Sequence, residues 1–373
     1  MSDQVTACSP VRLGNLRALR MLGALAALSL SGSACDSGDE KAEDPVATFI
    51  GALPNDGTLE LEVPGEEDVA VAGLPLAMIE APLLGEPSDL RVRTGAVRRF
   101  LRQLIDNMTE GLDRLTDGSP TRRTADGAMW LVRFPDLGID RALVMKREDG
   151  HFSYTIWTRA IGRPGDLRPW HFLLLGRVTP GRNGDVRGAM WLDLDKDRKP
   201  RSHGKVSVLW SVIGNERRID VVVFDGTPDD GELGRLTRNY SYQDGPDGGR
   251  IAFDAGEVDV HIVADHQGLE RVRVATRWNA QRRMRADYAA VGPEVRADGY
   301  RVLIGSECWV VPDPDVSYET RVAIPLAGDA RVTLFERGDV GTCGFLVDEP
   351  PIVATPGAIP IEPVRPSELD EAP

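Results

Sequence analysis

His151-Phe152-Ser153-Tyr154-Thr155-Ile156-Trp157-Thr158-Arg159 decides the fold class. Phe152, Tyr154 and Ile156 alternate with Ser153 and Thr155, which is the two-residue period of a half-buried strand and not the 3.6-residue period of a helix. Asp149-Gly150 stands just before it, a pair that tolerates positive φ and turns a tight hairpin. Outward in both directions the same grammar recurs. Runs rich in β-branched and aromatic residues occur at 128–134, 141–147, 170–178, 186–194, 204–213, 217–224, 236–243, 250–254, 258–264, 269–278, 282–290, 300–304, 308–311, 316–324 and 330–336. Asn183-Gly184, Asp225-Gly226, Asp247-Gly248 and Asp298-Gly299 repeat the turn chemistry. In 269–278, Leu269, Arg271, Arg273, Ala275 and Arg277 alternate with Glu270, Val272, Val274 and Thr276. Short connections make successive strands antiparallel neighbours.

Upstream the period changes. Val97, Leu101, Leu104, Ile105, Met108, Leu112 and Leu115 recur every three or four residues, with Arg98, Arg99, Arg102, Asp106 and Asp113 on the other faces. This spacing predicts an amphipathic helix over about 90–116, capped by Ser88-Asp89 and closed by Gly118. Residues 46–87 are mixed, with short β-like runs at Leu59–Val63 and Val69–Val71. The expected fold is therefore mainly β: a long antiparallel meander forming a half-barrel or barrel, packed against one N-terminal amphipathic helix. A two-sheet β-sandwich is the alternative.

The N-terminus reads as an address. Arg12, Arg17 and Arg20 precede the ten-residue apolar run Met21–Leu30, followed by Ser31-Gly32-Ser33-Ala34 and Cys35. A membrane-spanning helix needs about 20 apolar residues, so this run suits a signal peptide. With its small residues before Cys35, the segment resembles a bacterial lipoprotein signal. That resemblance implies cleavage before Cys35 and a lipid on its sulfur. Gly32 stands where the pattern usually carries an aliphatic residue, so ordinary cleavage after Ala34 is the alternative. The expected layout is a signal peptide at 1–34, lipid attachment and a flexible acidic linker at 35–58, a β-rich domain at 59–345 and a proline-rich disordered tail at 346–373.

Composition narrows the function classes. The chain has 373 residues, 42% hydrophobic and 27% charged, with 44 Lys+Arg against 58 Asp+Glu. Loss of residues 1–34 removes three arginines and one aspartate and takes the net charge from −14 to −16. Nucleic acid is a poor partner for such a chain. An anionic bilayer would repel the body as a whole unless something tethers it.

Cys8 lies in the segment to be removed and Cys35 is the acylation candidate, which leaves Cys308 and Cys343 as a disulfide pair in an oxidising compartment. A Cys308 nucleophile is the weaker reading, since no histidine lies near it in sequence. Asp193, Asp195 and Asp197 alternate as in a calcium loop, yet Arg198 and Gly204 stand where glycine and glutamate belong. Asp259, His261, Asp265 and His266 form a second weak metal cluster, with His151, His171 and His203 elsewhere, and Asp229-Asp230 has turn composition. Seven tryptophans fall one to a strand; sheet core is the plain expectation and an aromatic-lined cavity the sharper one. No nucleophile elbow, phosphate-binding glycine loop, zinc-protease helix or cofactor motif is present in the sequence.

The expected function is a membrane-anchored, non-catalytic binding or structural protein of the cell envelope, facing the periplasm or cell surface. Its expected partners are the membrane, through the lipid, and an apolar ligand or envelope protein. The alternatives are a carrier of a lipid or other apolar ligand in a β half-barrel, and an enzyme whose site has no familiar motif.

Overall fold

Asp44-Pro45 opens the first helix among the described residues. The computed structural model describes residues 44–55, 58–65, 88–162, 168–196, 202–228, 236–258 and 270–342. The leader with Cys35, the run Val69–Val71, the candidate strand 258–264 beyond Val258, and the tail from Cys343 lie outside them.

Helix α1 (Pro45–Ala52) starts where Asp44 Oδ1 accepts from Val46 N at 2.9 Å and Pro45 takes the first helical position. An acidic cap followed by proline is helix-starting chemistry. Residues 45–52, expected within a flexible linker over 35–58, are therefore helical, and Phe49 is fully buried. Leu59–Val63, expected as β-like, forms no strand, although Leu59, Leu61 and Val63 are buried. Helix α2 (Asp89–Thr116) follows the expected span. Ser88 Oγ accepts from Arg91 N at 3.0 Å, and Leu90, Val97, Leu101, Ile105, Met108, Leu112 and Leu115 make its buried stripe.

Fifteen strands follow: β1 (Arg122–Arg123), β2 (Gly127–Phe134), β3 (Ile139–Glu148), β4 (His151–Ala160), β5 (His171–Pro180), β6 (Val186–Asp193), β7 (Ser202–Ile213), β8 (Glu216–Pro228), β9 (Leu236–Gly245), β10 (Gly248–Val258), β11 (Glu270–Asn279), β12 (Arg283–Val291), β13 (Tyr300–Val310), β14 (Asp313–Pro325) and β15 (Val332–Gly338). A short helix, α3 (Pro293–Ala297), joins β12 to β13. The strands make one antiparallel sheet in sequence order. Two expectations are corrected here. The two-sheet sandwich is replaced by a single sheet, because each strand pairs with its sequence neighbour and none crosses over. The closed barrel is also overturned: β1 pairs with β2 and β15 with β14, so both edges stay open. A two-residue β1 offers too little ladder to close against a seven-residue β15.

Runs 300–304 and 308–311, expected as separate strands, merge into β13, because Gly305-Ser306-Glu307 continues the ladder on β12. Asp225-Gly226, expected as a hairpin, lies instead at a register shift inside β8. Asn183 (φ 58°) and Gly184 (φ 85°) do turn left-handed between β5 and β6.

Strict alternation gives the sheet two faces. The core face carries Trp130, Leu143, Tyr154, Met190, Val208, Val221, Phe253, Val274 and Tyr288, which belong to one buried cluster with Phe49, Leu61 and the stripe of α2. The Phe49 ring sits 6.1 Å from Trp130, 5.6 Å from Phe152 and 5.7 Å from Tyr154. Four core-face glycines lie beneath aromatic rings of the neighbouring strand: Gly176 under Tyr154, Gly188 under Trp210, Gly249 under Trp278 and Gly305 under Tyr288. A Cβ at Gly188 would stand 1.9 Å from the Trp210 ring, so only glycine lets the indole lie flat there.

Candidate functional site

Among the described residues, those singled out from sequence do not converge. Cys308 is fully buried on β13 beside Tyr318, on the face opposite the core, while Cys35 and Cys343 lie outside the described residues. Asp193 ends β6 and Asp195 sits in the next turn, where its Oδ1 accepts from Gly204 N at 3.0 Å. Asp197 lies outside the described residues, as do Asp229-Asp230 and the Asp259–His266 cluster. Among the described residues no group of three or more His, Cys, Asp or Glu side chains is placed to hold a metal ion. His151 Nε2 lies 2.7 Å from Glu148 Oε2, and His171 is exposed at the start of β5.

The tryptophans divide between the faces. Trp130, Trp210, Trp278 and Trp309 enter the main core. Trp157 and Trp170 instead form a separate cluster with Ala142, flanked by Met129, Leu131, Val144 and Phe172 on the opposite face. There the half-buried rings of Phe172 and Trp191 stack with centroids 5.4 Å apart, and Trp157 meets Phe172 edge-on at 5.9 Å. The Arg159 guanidinium lies 4.5 Å from the Trp170 ring centre, and Lys205 Nζ lies 5.6 Å from that of Trp191.

Further along the same face the chemistry turns ionic, and this is the feature that the sequence reading missed. Buried aspartates are gripped by donors on their own and on adjacent strands. Asp140 accepts from Arg133 Nε at 2.9 Å and Arg159 Nε at 3.1 Å. Asp220 accepts from Arg218 Nε at 2.8 Å and Ser241 Oγ at 2.6 Å. Asp254 accepts from Asn239 Nδ2 at 2.9 Å and Arg273 Nε at 3.1 Å, with Arg271 Nη2 3.9 Å away. Asp287 accepts from Arg285 Nε at 2.8 Å, Ser306 Oγ at 2.5 Å and Arg277 Nη2. Burial pushes the Asp140 carboxyl up, but the hydrogen bonds and charges of Arg133 and Arg159 outweigh it and hold the group below its ordinary range. The alternation of Arg271, Arg273 and Arg277 was the signal available in sequence; their partners depend on register with β10 and β12.

A buried polar seam also joins α2 to the core face. Glu307 Oε2 accepts from Ser88 Oγ at 2.6 Å and from Leu90 N at 3.3 Å, placing a carboxylate at the positive end of the helix. Thr94 Oγ1 lies 2.6 Å from Thr276 Oγ1. Glu319 accepts from Arg337 Nη2 at 2.6 Å and Nε at 3.1 Å. The carboxylate oxygens in these contacts accept from arginine, hydroxyl or backbone N–H donors. This chemistry fixes structure and orients guanidinium groups.

No helix among the described residues is long and apolar enough to cross a membrane. No family model matches the chain, and neither the curated proteins nor the solved structures give a match.

Proposed function

We propose that the chain is an exported lipoprotein, tethered through Cys35, whose β domain serves the cell envelope as a non-catalytic binding or structural module facing the periplasm or cell surface. The tether rests on the charged n-region, the ten-residue apolar run and the small residues before Cys35. Two or more acyl chains on one cysteine make a stable anchor, at about 0.8 kcal/mol per buried CH₂. Detergent-phase partitioning of cell extracts tests this: wild type enters the detergent phase and Cys35→Ser stays in the aqueous phase. Recovery of wild type from the aqueous phase with residues 1–34 intact would overturn the reading.

The proposed shape of the domain is a half-barrel wrapped on α2. Along the helix, Ser88 meets Glu307 of β13, Thr94 meets Thr276 of β11, Phe100 meets Tyr240 of β9 and Gly111 lies beside Arg141 of β3. From β3 to β13 are ten strand spacings, about 48 Å along a flat sheet. The helix rises only about 35 Å between Ser88 and Gly111. A sheet that meets a helix this short at these strands is consistent with a curl around it. The observation that favours a structural or binding module over a carrier is that the chain's own Phe49, Phe100 and α2 stripe pack into the core-face cluster. Native mass spectrometry of purified protein checks that preference. A clean apo mass supports it, and a co-purifying lipid supports the carrier.

We also propose the Cys308–Cys343 disulfide. Ser317 Oγ lies 3.0 Å from both Cys308 O and Thr342 Oγ1, which brings the residue preceding Cys343 close to Cys308. Closing a loop of about 35 residues stabilises by about 3–4 kcal/mol. Alkylation of the denatured protein should therefore require reductant, and Cys343→Ser should lower the melting temperature. Alkylation of both thiols without reductant would remove the pairing.

A further inference from the structure

We infer that the turn closing β6 binds a calcium ion through Asp193. Asp193 is the last residue of β6 and shares by alternation the face of Trp191. It is 8% exposed, and its buried Oδ1 has no hydrogen-bond partner among the described residues. On the same sheet face Asp140, Asp220, Asp254 and Asp287 each accept from two or more donors. A buried carboxylate left unpaired is far costlier than a paired one. Lys205 stands directly opposite Asp193 on β7, but its ammonium lies over the Trp191 ring, 5.6 Å from the ring centre.

The turn adds further hard oxygen donors. Asp195 lies two residues on, in the turn Leu194–Lys196, and is exposed. Its Oδ1 accepts from Gly204 N at 3.0 Å, which pins the carboxylate across the β6–β7 connection. A carboxylate oxygen that accepts one N–H keeps a second lone pair for a cation. Carboxylates at alternating positions, completed by turn carbonyls and water, are calcium chemistry, whereas zinc selects nitrogen and sulfur. Among the described residues the site offers two carboxylates and not three. That charge count places it in the weak range of extracellular calcium modules, about 10⁻⁴–10⁻³ M. The inference holds whether or not Cys35 is acylated.

Terbium replaces calcium at oxygen sites and emits when a nearby indole is excited, so terbium luminescence of the full chain tests the site. Trp191 is the neighbouring indole, two residues before Asp193. The emission should saturate and be displaced by calcium, but not by an equal concentration of magnesium. Asp193→Asn should weaken terbium binding about tenfold or more. Asp113→Asn, at an exposed carboxylate of α2, should leave it unchanged, which controls for the acidity of the chain. Calcium should also raise the melting temperature of wild type and not that of Asp193→Asn. In chelator, Asp193→Asn should melt no lower than wild type, since it removes an unpaired buried charge. Unchanged emission in Asp193→Asn, an equal loss in Asp113→Asn, or a wild type whose melting ignores calcium would each overturn the inference. So would an Asp193→Asn that melts lower than wild type in chelator, which would assign the carboxylate to a partner within the chain, Lys205 first.

Discussion

The two faces of the sheet share every backbone hydrogen bond yet hold together by different means. The core face is closed by shape: aromatic rings lie over glycines and against Phe49 and α2. The opposite face joins the Trp157–Trp170 cluster to paired charges, with Asp140, Asp220, Asp254 and Asp287 each accepting from at least one donor on a neighbouring strand.

That contrast can be broken or sharpened by substitution. The largest effect belongs to Phe49→Ala, which removes a fully buried ring from three aromatic neighbours and should destabilise by about 3–5 kcal/mol in denaturant titration. A loss below about 1 kcal/mol would return Pro45–Ala52 to the status of a linker. Next comes Asp287→Ala, which takes a buried carboxylate away from two guanidinium groups and should cost about 3 kcal/mol. If it were neutral, charge would not be what holds the opposite face. Gly188→Ala follows, at about 1–3 kcal/mol for forcing the Trp210 ring off the sheet. Combining it with Trp210→Leu should cost less than the sum of the two, because the clash is shared. Arg271→Gln, at an exposed group 3.9 Å from its partner, should change stability by less than about 0.5 kcal/mol.

Acid sharpens the comparison without mutating the core. A carboxyl held below its ordinary range when folded, as Asp140 is, contributes fully above its unfolded pKa of about 3.9. That contribution is lost as pH falls through the lower folded value. The stability difference between wild type and Asp140→Asn should therefore shrink as pH drops below about 4, while the deficit of Phe49→Ala persists. Parallel urea titrations at neutral and acidic pH measure both.

Much of this was legible from residue order. The three-and-four spacing of Val97 to Leu115 placed α2, and Asp149-Gly150 with the alternation of Phe152, Tyr154 and Ile156 placed the β3–β4 hairpin. Helix α1 was hidden because Asp44-Pro45 was read as the end of a stalk, when the same two residues cap and start a helix. Glu307 carries no local sign of its role, standing next to Cys308 in sequence. Alternation sends the two side chains to opposite faces, and the carboxylate meets Ser88 from 219 positions away. Of the metal candidates, Asp195 Oδ1 accepts from Gly204 N and Asp197 lies outside the described residues.

Sequence alone determined the periods: which stretches turn, which alternate and which repeat like a helix, since each is a property of a few consecutive residues. Only the tertiary structure decided that Trp130 faces the core while Trp157 faces away, and that Asp220 finds Ser241 while Asp254 finds Asn239. Those choices depend on the register between strands. Register is set jointly by every turn and buried side chain of the ladder.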